Sequence, residues 1–268
     1  MKSTIDNIKN RFLQDPSDLT ISDKYENSDS KISEISYSMI SHMGKVRNNN
    51  EDSCTATKVH FFFEGKEQTL LVFGVADGMG GLESGEKASY TAINEVISYI
   101  SNDLALSATT KNKEALLEFA LKRANDKIME INESLDADKI MGTTMVIAMV
   151  QDSILYFAHS GDSTIFSYMD KKLTQANHTH RLKNSNALFS CLGLGKDLKI
   201  ETGRFNMSKN NAFLLCSDGL TDMVTNSQIK KIVSPNYDKP KKIVDDLLAE
   251  ALKNGGIDNI SIIYGYHS

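Results

Sequence analysis

Four short acidic motifs recur along this chain, and each lies at the edge of a strand-like run. They are Asn50-Glu51-Asp52, Asp77-Gly78, Asp218-Gly219 and Asp258-Asn259. An Asp-Gly pair after an apolar run places a carboxylate at the end of a strand, with a flexible turn beside it. Carboxylates that pack together need cations or protons to offset their repulsion. Because aspartates suit hard cations such as Mg²⁺ and Mn²⁺, the motifs predict a metal-dependent enzyme.

The composition is that of an ordinary globular protein with an acidic balance. The chain of 268 residues has a formal net charge of -5, which argues against nucleic-acid partners because binding to a phosphate backbone needs a basic face. No apolar run approaches the ~20 residues of a membrane span. The polar start also lacks the apolar core of a signal peptide. We therefore expect a cytoplasmic, monomeric protein without membrane association.

Two parts of the chain differ in composition. Residues 1–33 are polar and rich in Ser, Asp, Asn and Lys, and we interpret them as a mobile N-terminal extension. Residues 34–268 carry all the periodic apolar segments and form one domain. The three cysteines stand singly in this domain, without a CxxC pair, so we expect reduced thiols and neither a zinc site nor a disulfide framework.

The elements that must position the acidic motifs are predicted from hydrophobic periodicity. A hairpin is predicted over residues 55–76, followed by two amphipathic helices over 83–104 and 114–133. Further strands are predicted at 143–149, 153–159, 163–169 and 212–216, then a helix after Pro240 and a last strand at 259–264. The short turns Gln151-Asp152 and Gly161-Asp162 predict antiparallel neighbours on either side. This order of elements indicates an α+β fold.

The motifs together resemble the metal-dependent protein phosphatases of the PPM family, the type 2C Ser/Thr phosphatases. Six motifs match in order over roughly residues 35–266: Arg47…Asn50-Glu51-Asp52, Asp77-Gly78-Met79-Gly80-Gly81, Gly142-Thr143-Thr144, Gly161-Asp162-Ser163, Ser217-Asp218-Gly219 and Asp258-Asn259. One Asp-Gly pair carries no information, whereas six motifs in the right order are highly specific. The resemblance implies two stacked antiparallel β-sheets flanked by helix pairs, a four-layer α-β-β-α sandwich.

The resemblance also implies the ligand set of a two-metal centre. Asp77 bridges both ions, the carbonyl of Gly78 ligates one of them, and Asp218 and Asp258 ligate the other. The remaining members of the metal set are Glu51 and Asp52, which act mainly through metal-bound waters, and Asp162. The resemblance places Asp162 near a third, weakly bound ion that it shares with Asp218. The expected cofactors are therefore two tightly bound Mn²⁺ or Mg²⁺ ions and a third weak one.

The implied reaction is hydrolysis of phosphoserine and phosphothreonine on proteins, which a Ser/Thr kinase would phosphorylate. A phosphate monoester is a dianion, and two cations ~3.5–4 Å apart cancel the repulsion of an anionic nucleophile and activate a water. The planar guanidinium of Arg47 suits two phosphate oxygens at once. We expect catalytic roles for Arg47, Asp52 and Asp162.

The chain departs from the family pattern in three places. Met79 stands where animal relatives have a histidine, so the leaving alkoxide needs another proton source, such as a water on the third ion. Thr164 follows Gly161-Asp162-Ser163 where arginine is usual, and we expect only local repacking. The third departure is a short flap, formed by residues 177–185. In relatives the loop at this position is usually longer. Substrate selection is then looser or depends on a partner.

Two other functions remain open at the level of sequence. The first is a catalytically weak module that binds phosphoproteins. The presence of all four metal-site aspartates argues against it. A phosphatase for a small molecule or a partner-switching regulator is the other, because surface loops select the substrate.

Overall fold

The structure is a computed structural model that describes residues 19–23, 35–80, 84–102, 104–183, 185, 187–195 and 197–268. Twelve strands lie in this part of the chain: β1 (Leu19–Asp23), β2 (Ile35–His42), β3 (Asp52–Phe63), β4 (Lys66–Gly80), β5 (Met141–Thr143), β6 (Met145–Gln151), β7 (Ile154–Ser160), β8 (Thr164–Met169), β9 (Lys172–Gln175), β10 (Glu201–Asn206), β11 (Ala212–Cys216) and β12 (Ile260–His267). They form two antiparallel sheets. The first has the order β1-β2-β12-β11-β8-β9, and the second has the order β10-β7-β6-β4-β3, with β5 paired to the end of β4.

Helices cover the outer faces of both sheets. The described helices are α1 (Gly85–Asn102), α2 (Leu104–Thr109), α3 (Lys113–Asn132), α4 (Asp218–Thr221), α5 (Asn226–Val233) and α6 (Pro240–Lys253). The apolar stripes of α1 and α3 pack on the second sheet, and those of α5 and α6 pack on the first. The result is a four-layer α-β-β-α sandwich, as the resemblance to the PPM family implies. None of the described helices is long and apolar enough to cross a bilayer.

The central strand β4 has a continuous apolar run and does not alternate between apolar and polar residues. Leu70 and Val72 point to the helices, whereas Phe73 and Val75 point to the opposite sheet. Both faces of the strand are therefore buried, and a continuous hydrophobic run results. Because this strand runs directly into Asp77, the core fixes the position of that carboxylate.

The predicted elements agree with the structure within a few residues, with one error of topology. The turn after β6 does join antiparallel neighbours. The prediction that Gly161-Asp162 also joins antiparallel neighbours is wrong, because β7 lies in the second sheet and β8 in the first. Gly161 has a φ of +108°, which lets the chain turn sharply from one sheet to the other.

The predicted N-terminal extension lies largely outside the described residues. Five residues of it, Leu19–Asp23, form β1 and pair with β2 at the edge of the first sheet. For the rest of residues 1–33, mobility stays a prediction.

Candidate metal centre

The ends of strands from both sheets meet at one end of the sandwich. Asp52 begins β3 directly opposite Asp77 of β4 in the antiparallel register. In the other sheet, β11 ends one residue before Ser217, and Asp218 begins α4. Asp258 lies two residues before β12. The folding of the two sheets therefore gathers carboxylates that are far apart in sequence.

These strand ends surround an open cleft of about 540 Å³. Of the predicted site residues, the following line it: Arg47, Glu51, Asp77, Gly78, Asp162, Asp218 and Asp258. Asp52 lies beneath the cleft and is only 8% exposed. The structure thus brings every predicted site residue to one place.

Asp52 is the most deeply buried carboxylate of the centre. Burial raises its pKa to about 7, against a hydrogen bond from Ser217 that favours the ionised form. The hydroxyl of Ser217 donates to Asp52 Oδ2 at 2.7 Å. The carboxylate is therefore held in one orientation, and its charge is costly without a nearby cation.

The ionised forms of Asp77 and Asp218 are destabilised in the same way as that of Asp52. Burial, and then the charges of Asp52 and Asp218, raise the pKa of Asp77 well above its ordinary value. Burial and then Asp162 raise the pKa of Asp218 to about 6. Three acidic groups in contact that resist ionisation form a site that favours a positive ion.

Backbone contacts hold Asp77 and Gly78 at the cleft. The Asp77 carbonyl accepts from the hydroxyl of Thr143 at 2.9 Å, and Gly78 N donates to the Glu51 carbonyl at 3.1 Å. A Cβ on Gly78 would lie 2.0 Å from the carbonyl oxygen of Gly85. Only glycine fits there, so this part of the Asp-Gly motif is needed for packing as well as for access to its carbonyl.

Asp258 and Arg47 form an ion pair at the mouth of the cleft. Arg47 Nη2 donates to Asp258 Oδ2 at 2.6 Å, and the arginine side chain is 51% exposed. The neighbouring Asn259 pins the loop that carries Arg47, because its amide donates to the carbonyls of Met43 and Asn49. It also accepts from Glu51 N at 2.8 Å. Asn259 therefore organises the site without lining it.

Sequence reasoning missed two charged residues of the cleft, Arg181 and Asp222. Arg181 forms ion pairs with Asp162, Asp218 and Asp222. Burial raises the pKa of Asp162, whereas its hydrogen bond from Arg181 lowers it. The signal in the sequence was the short flap, since Arg181 lies inside residues 177–185.

A histidine cluster lies behind Asp162 and Arg181. His159, His180 and Glu201 offer ligand atoms that all lie within 4.8 Å of one another. His159 Nε2 and Glu201 Oε2 are 3.0 Å apart, and the rings of His159 and His180 stack with centroids 4.6 Å apart. Burial and the neighbouring His159 lower the pKa of His180 to about 4. The glutamate already accepts hydrogen bonds from His159 and His178, so these bonds support the loop. The buried Nδ1 of His159 has no partner among the residues that the structure describes.

The carboxylate centre has the donor set that a hard divalent cation requires. Among the residues that the structure describes, no donor reaches the buried Oδ1 of Asp52 or of Asp218. A buried carboxylate oxygen without a partner is costly. All the side-chain ligand atoms at the centre are oxygens, which Mg²⁺ and Mn²⁺ prefer. The residues present therefore fit the two tightly bound ions that the sequence predicts.

The chain matches a known family over most of its length. Residues 44–253 match the family described as Protein phosphatase 2C. The serine/threonine phosphatase stp of Listeria monocytogenes serotype 4b (strain F2365) is 28% identical in an alignment 238 residues long, which covers 82% of this chain and 91% of that protein. The residues matched to the family include every predicted site residue except Asp258, which lies five residues beyond the match.

Solved structures show the same architecture. The S. agalactiae serine/threonine phosphatase superimposes with a TM-score of 0.74 at 23% identity, over 87% of this chain and 100% of that one. The catalytic domain of the serine threonine protein phosphatase PstP, in complex with 2 manganese ions, superimposes with a TM-score of 0.71 at 26% identity, over 87% of this chain and 97% of that one. The fold and the site thus define a four-layer sandwich with a carboxylate centre. The chain belongs to the protein phosphatase 2C family.

Proposed function

We propose that this protein hydrolyses phosphoserine and phosphothreonine on proteins, with Mn²⁺ or Mg²⁺ bound in the carboxylate cleft. The observation that carries the proposal is the convergence of Asp52, Asp77 and Asp218, all three of which have raised pKa values. Asp52 and Asp218 also each have a buried oxygen without a partner among the described residues, and cations would stabilise all of these groups. Membership of the protein phosphatase 2C family, the names of the relatives and the two manganese ions of PstP support it.

The proposed metal ligands follow the sequence prediction. Asp77 at the end of β4 would hold both ions, together with the Gly78 carbonyl, Asp218 and Asp258. Glu51 at the wall of the cleft and the buried Asp52 would act mainly through water bound to the ions. When bound, the ions neutralise the phosphate dianion and activate a water.

The chain's own residues bind and orient the substrate phosphate. Arg47 is half exposed and its guanidinium already engages a carboxylate at the mouth of the cleft. A phosphate dianion competes with Asp258 for the guanidinium of Arg47. Two parallel hydrogen bonds from the guanidinium then fix the orientation of the phosphate. Ser217 holds Asp52 from below, and Thr143 holds the backbone of Asp77. The site is therefore formed before the substrate arrives, which is the condition for electrostatic catalysis.

The finer expectations are part of the same proposal. A Ser/Thr kinase supplies the phosphorylated proteins, and the phosphatase acts as a monomer in the cytoplasm. The open cleft supports protein substrates, because a phosphorylated side chain can enter from a surface. The net charge of -5 favours binding neither to nucleic acid nor to an anionic membrane.

The function is tested by phosphate release from three phosphopeptides that differ only in Ser, Thr or Tyr. With Mn²⁺ present, we expect turnover of the phosphoserine and phosphothreonine peptides. Asp218→Asn should lower turnover by orders of magnitude with the fold intact. The control is Asp246→Asn, because Asp246 lies on the exposed face of α6, away from the cleft, where it pairs with Lys242. Binding of phosphopeptides without turnover would instead indicate a regulatory module, and turnover of the tyrosine peptide alone would contradict the substrate class.

A further inference from the structure

Arg181 provides a fixed positive charge in the corner of the cleft where three carboxylates face one another. Its Nε donates to Asp162 Oδ2 at 2.5 Å, its Nη1 donates to Asp222 Oδ1 at 2.9 Å, and its Nη2 donates to Asp218. The side chain is only 22% exposed. Burial alone would lower the pKa of Arg181, but Asp222 and Asp162 raise it, so the charge is permanent.

The short flap delivers this arginine to the corner. His180 N donates to the Gly161 carbonyl at 2.8 Å, and Gly161 N donates to His180 Nδ1 at 3.2 Å. This pair of bonds ties the flap to the turn that carries Asp162. On the other side of Arg181, Leu182 N donates to the Ala187 carbonyl at 2.9 Å. The guanidinium is therefore held at the site by its backbone on both sides.

The two oxygens of Asp218 are divided between the corner and the rest of the cleft. Arg181 takes Oδ2, whereas the buried Oδ1 has no donor among the described residues. One oxygen thus remains for an ion that Asp218 shares with Asp77. Asp162 and Asp222, in contrast, already face a cation that cannot dissociate. A divalent ion in the same corner would be repelled by the guanidinium.

We propose that Arg181 is a built-in cation that replaces the third metal ion, so that the centre holds two divalent ions and not three. This inference rests on the proposed function, because it assumes that the cleft binds metal. It makes Arg181 a positioning residue that holds Asp162 and Asp218 in place. It also replaces the sequence-based expectation that a weak third ion lies between these two aspartates.

The test counts the Mn²⁺ ions bound per chain, by equilibrium dialysis and by the electron paramagnetic resonance signal of free Mn²⁺. Wild type should saturate at two ions even at high Mn²⁺ concentration. Arg181→Gln removes the charge and should bind one additional ion with lower affinity. Arg181→Lys keeps the charge and should remain at two. The double variant Arg181→Gln/Asp162→Asn should lose the additional ion, because its carboxylate ligand is gone.

Arg204→Gln is the matched control, since Arg204 lies on the exposed strand β10 and pairs with Glu114 away from the cleft. It should bind two ions. If Mn²⁺ simply displaces the guanidinium, wild type binds three ions and the inference is overturned. Two ions in both wild type and a folded Arg181→Gln would also overturn it, yet leave the proposed function intact. Wild type that binds no Mn²⁺ would overturn both. A wild-type count of three overturns the inference even if a variant does not fold.

Discussion

At the scale of single residues, the centre combines carboxylates that are costly to ionise with few groups that offset their charge. Burial raises the pKa of Asp52 to about 7 although Ser217 donates to it. In the unfolded chain the same group ionises near pH 3.9. Between these two pH values, Asp52 therefore keeps its proton in the folded, metal-free protein and has lost it in the unfolded chain. Metal binding and proton release should be coupled as a consequence.

This coupling predicts the pH dependence of stability in the metal-free protein. Because the folded pKa of Asp52 is raised, its contribution to stability is largest at low pH and is lost as the pH rises through about 7. Between pH 6 and pH 8 the free energy of unfolding should fall by about 1 kcal/mol from this group. Asp52→Asn should remove that part of the slope. Chemical denaturation in chelator at both pH values measures it, and parallel slopes in the two proteins would contradict it.

Arg47 makes a second prediction at this scale. If its guanidinium binds the substrate phosphate, Arg47→Ala should raise KM roughly tenfold or more, because a hydrogen bond to a charged group is lost. Lysine at this position should restore only part of the effect, since it lacks the planar fork. Mn²⁺ affinity should change little. Steady-state kinetics with a phosphothreonine peptide test this, with the exposed Arg123→Ala on α3 as control, and an unchanged KM would remove Arg47 from the site.

At the scale of elements, the strand-to-strand connections determine which carboxylates meet. Most elements were predictable, because the helix stripes and the apolar strands have clear periods. The position of Asp77 was also predictable, since its motif directly follows a buried strand. The crossing at Gly161 was not, because a short turn has the same sequence signature whether it joins strands of one sheet or of two. Arg181 was missed for a related reason: its role depends on backbone bonds between the flap and that turn.

Gly161 gives the prediction that belongs to this scale. Its φ is +108°, and a Cβ there would lie 2.5 Å from the Cβ of Thr144. Gly161→Ala should therefore destabilise the fold by about 3 kcal/mol, through backbone strain and overpacking together. Gly65→Ala is the control, because its φ is also positive but no atom lies within 4 Å of the added carbon. Its expected cost is about 1 kcal/mol. Equal losses in denaturant unfolding would show that the crossing is not tightly packed.

At the scale of the whole molecule, the centre joins the two sheets. Asp52 and Asp77 belong to the second sheet, whereas Asp218 and Asp258 flank strands of the first. Ser217, which follows a strand of the first sheet, already bonds to Asp52 across this boundary. An ion bound by carboxylates of both sheets would link the halves of the sandwich. Ligand binding to the folded state alone raises stability in proportion to the logarithm of its concentration.

Mn²⁺ should therefore raise the melting temperature of the protein. At a concentration of about 100 times Kd, the gain is roughly 2.7 kcal/mol, which corresponds to about 5–10 °C for a domain of this size. Asp77→Asn should lose most of this shift, because Asp77 is the proposed bridging ligand. Calorimetry with and without Mn²⁺ measures the shift. The same shift in wild type and in Asp77→Asn would mean that the ion binds elsewhere.

The most direct test of the account is phosphate release from a phosphothreonine peptide as Mn²⁺ is removed and returned. Wild type should be inactive in excess chelator and should recover when Mn²⁺ is added back. Asp77→Asn, with its fold verified, should recover to a level at least about 100-fold lower, because the cations that neutralise the phosphate are no longer held together. Full activity in excess chelator, or equal recovery of Asp77→Asn, would contradict a metal-dependent phosphatase built on this cleft.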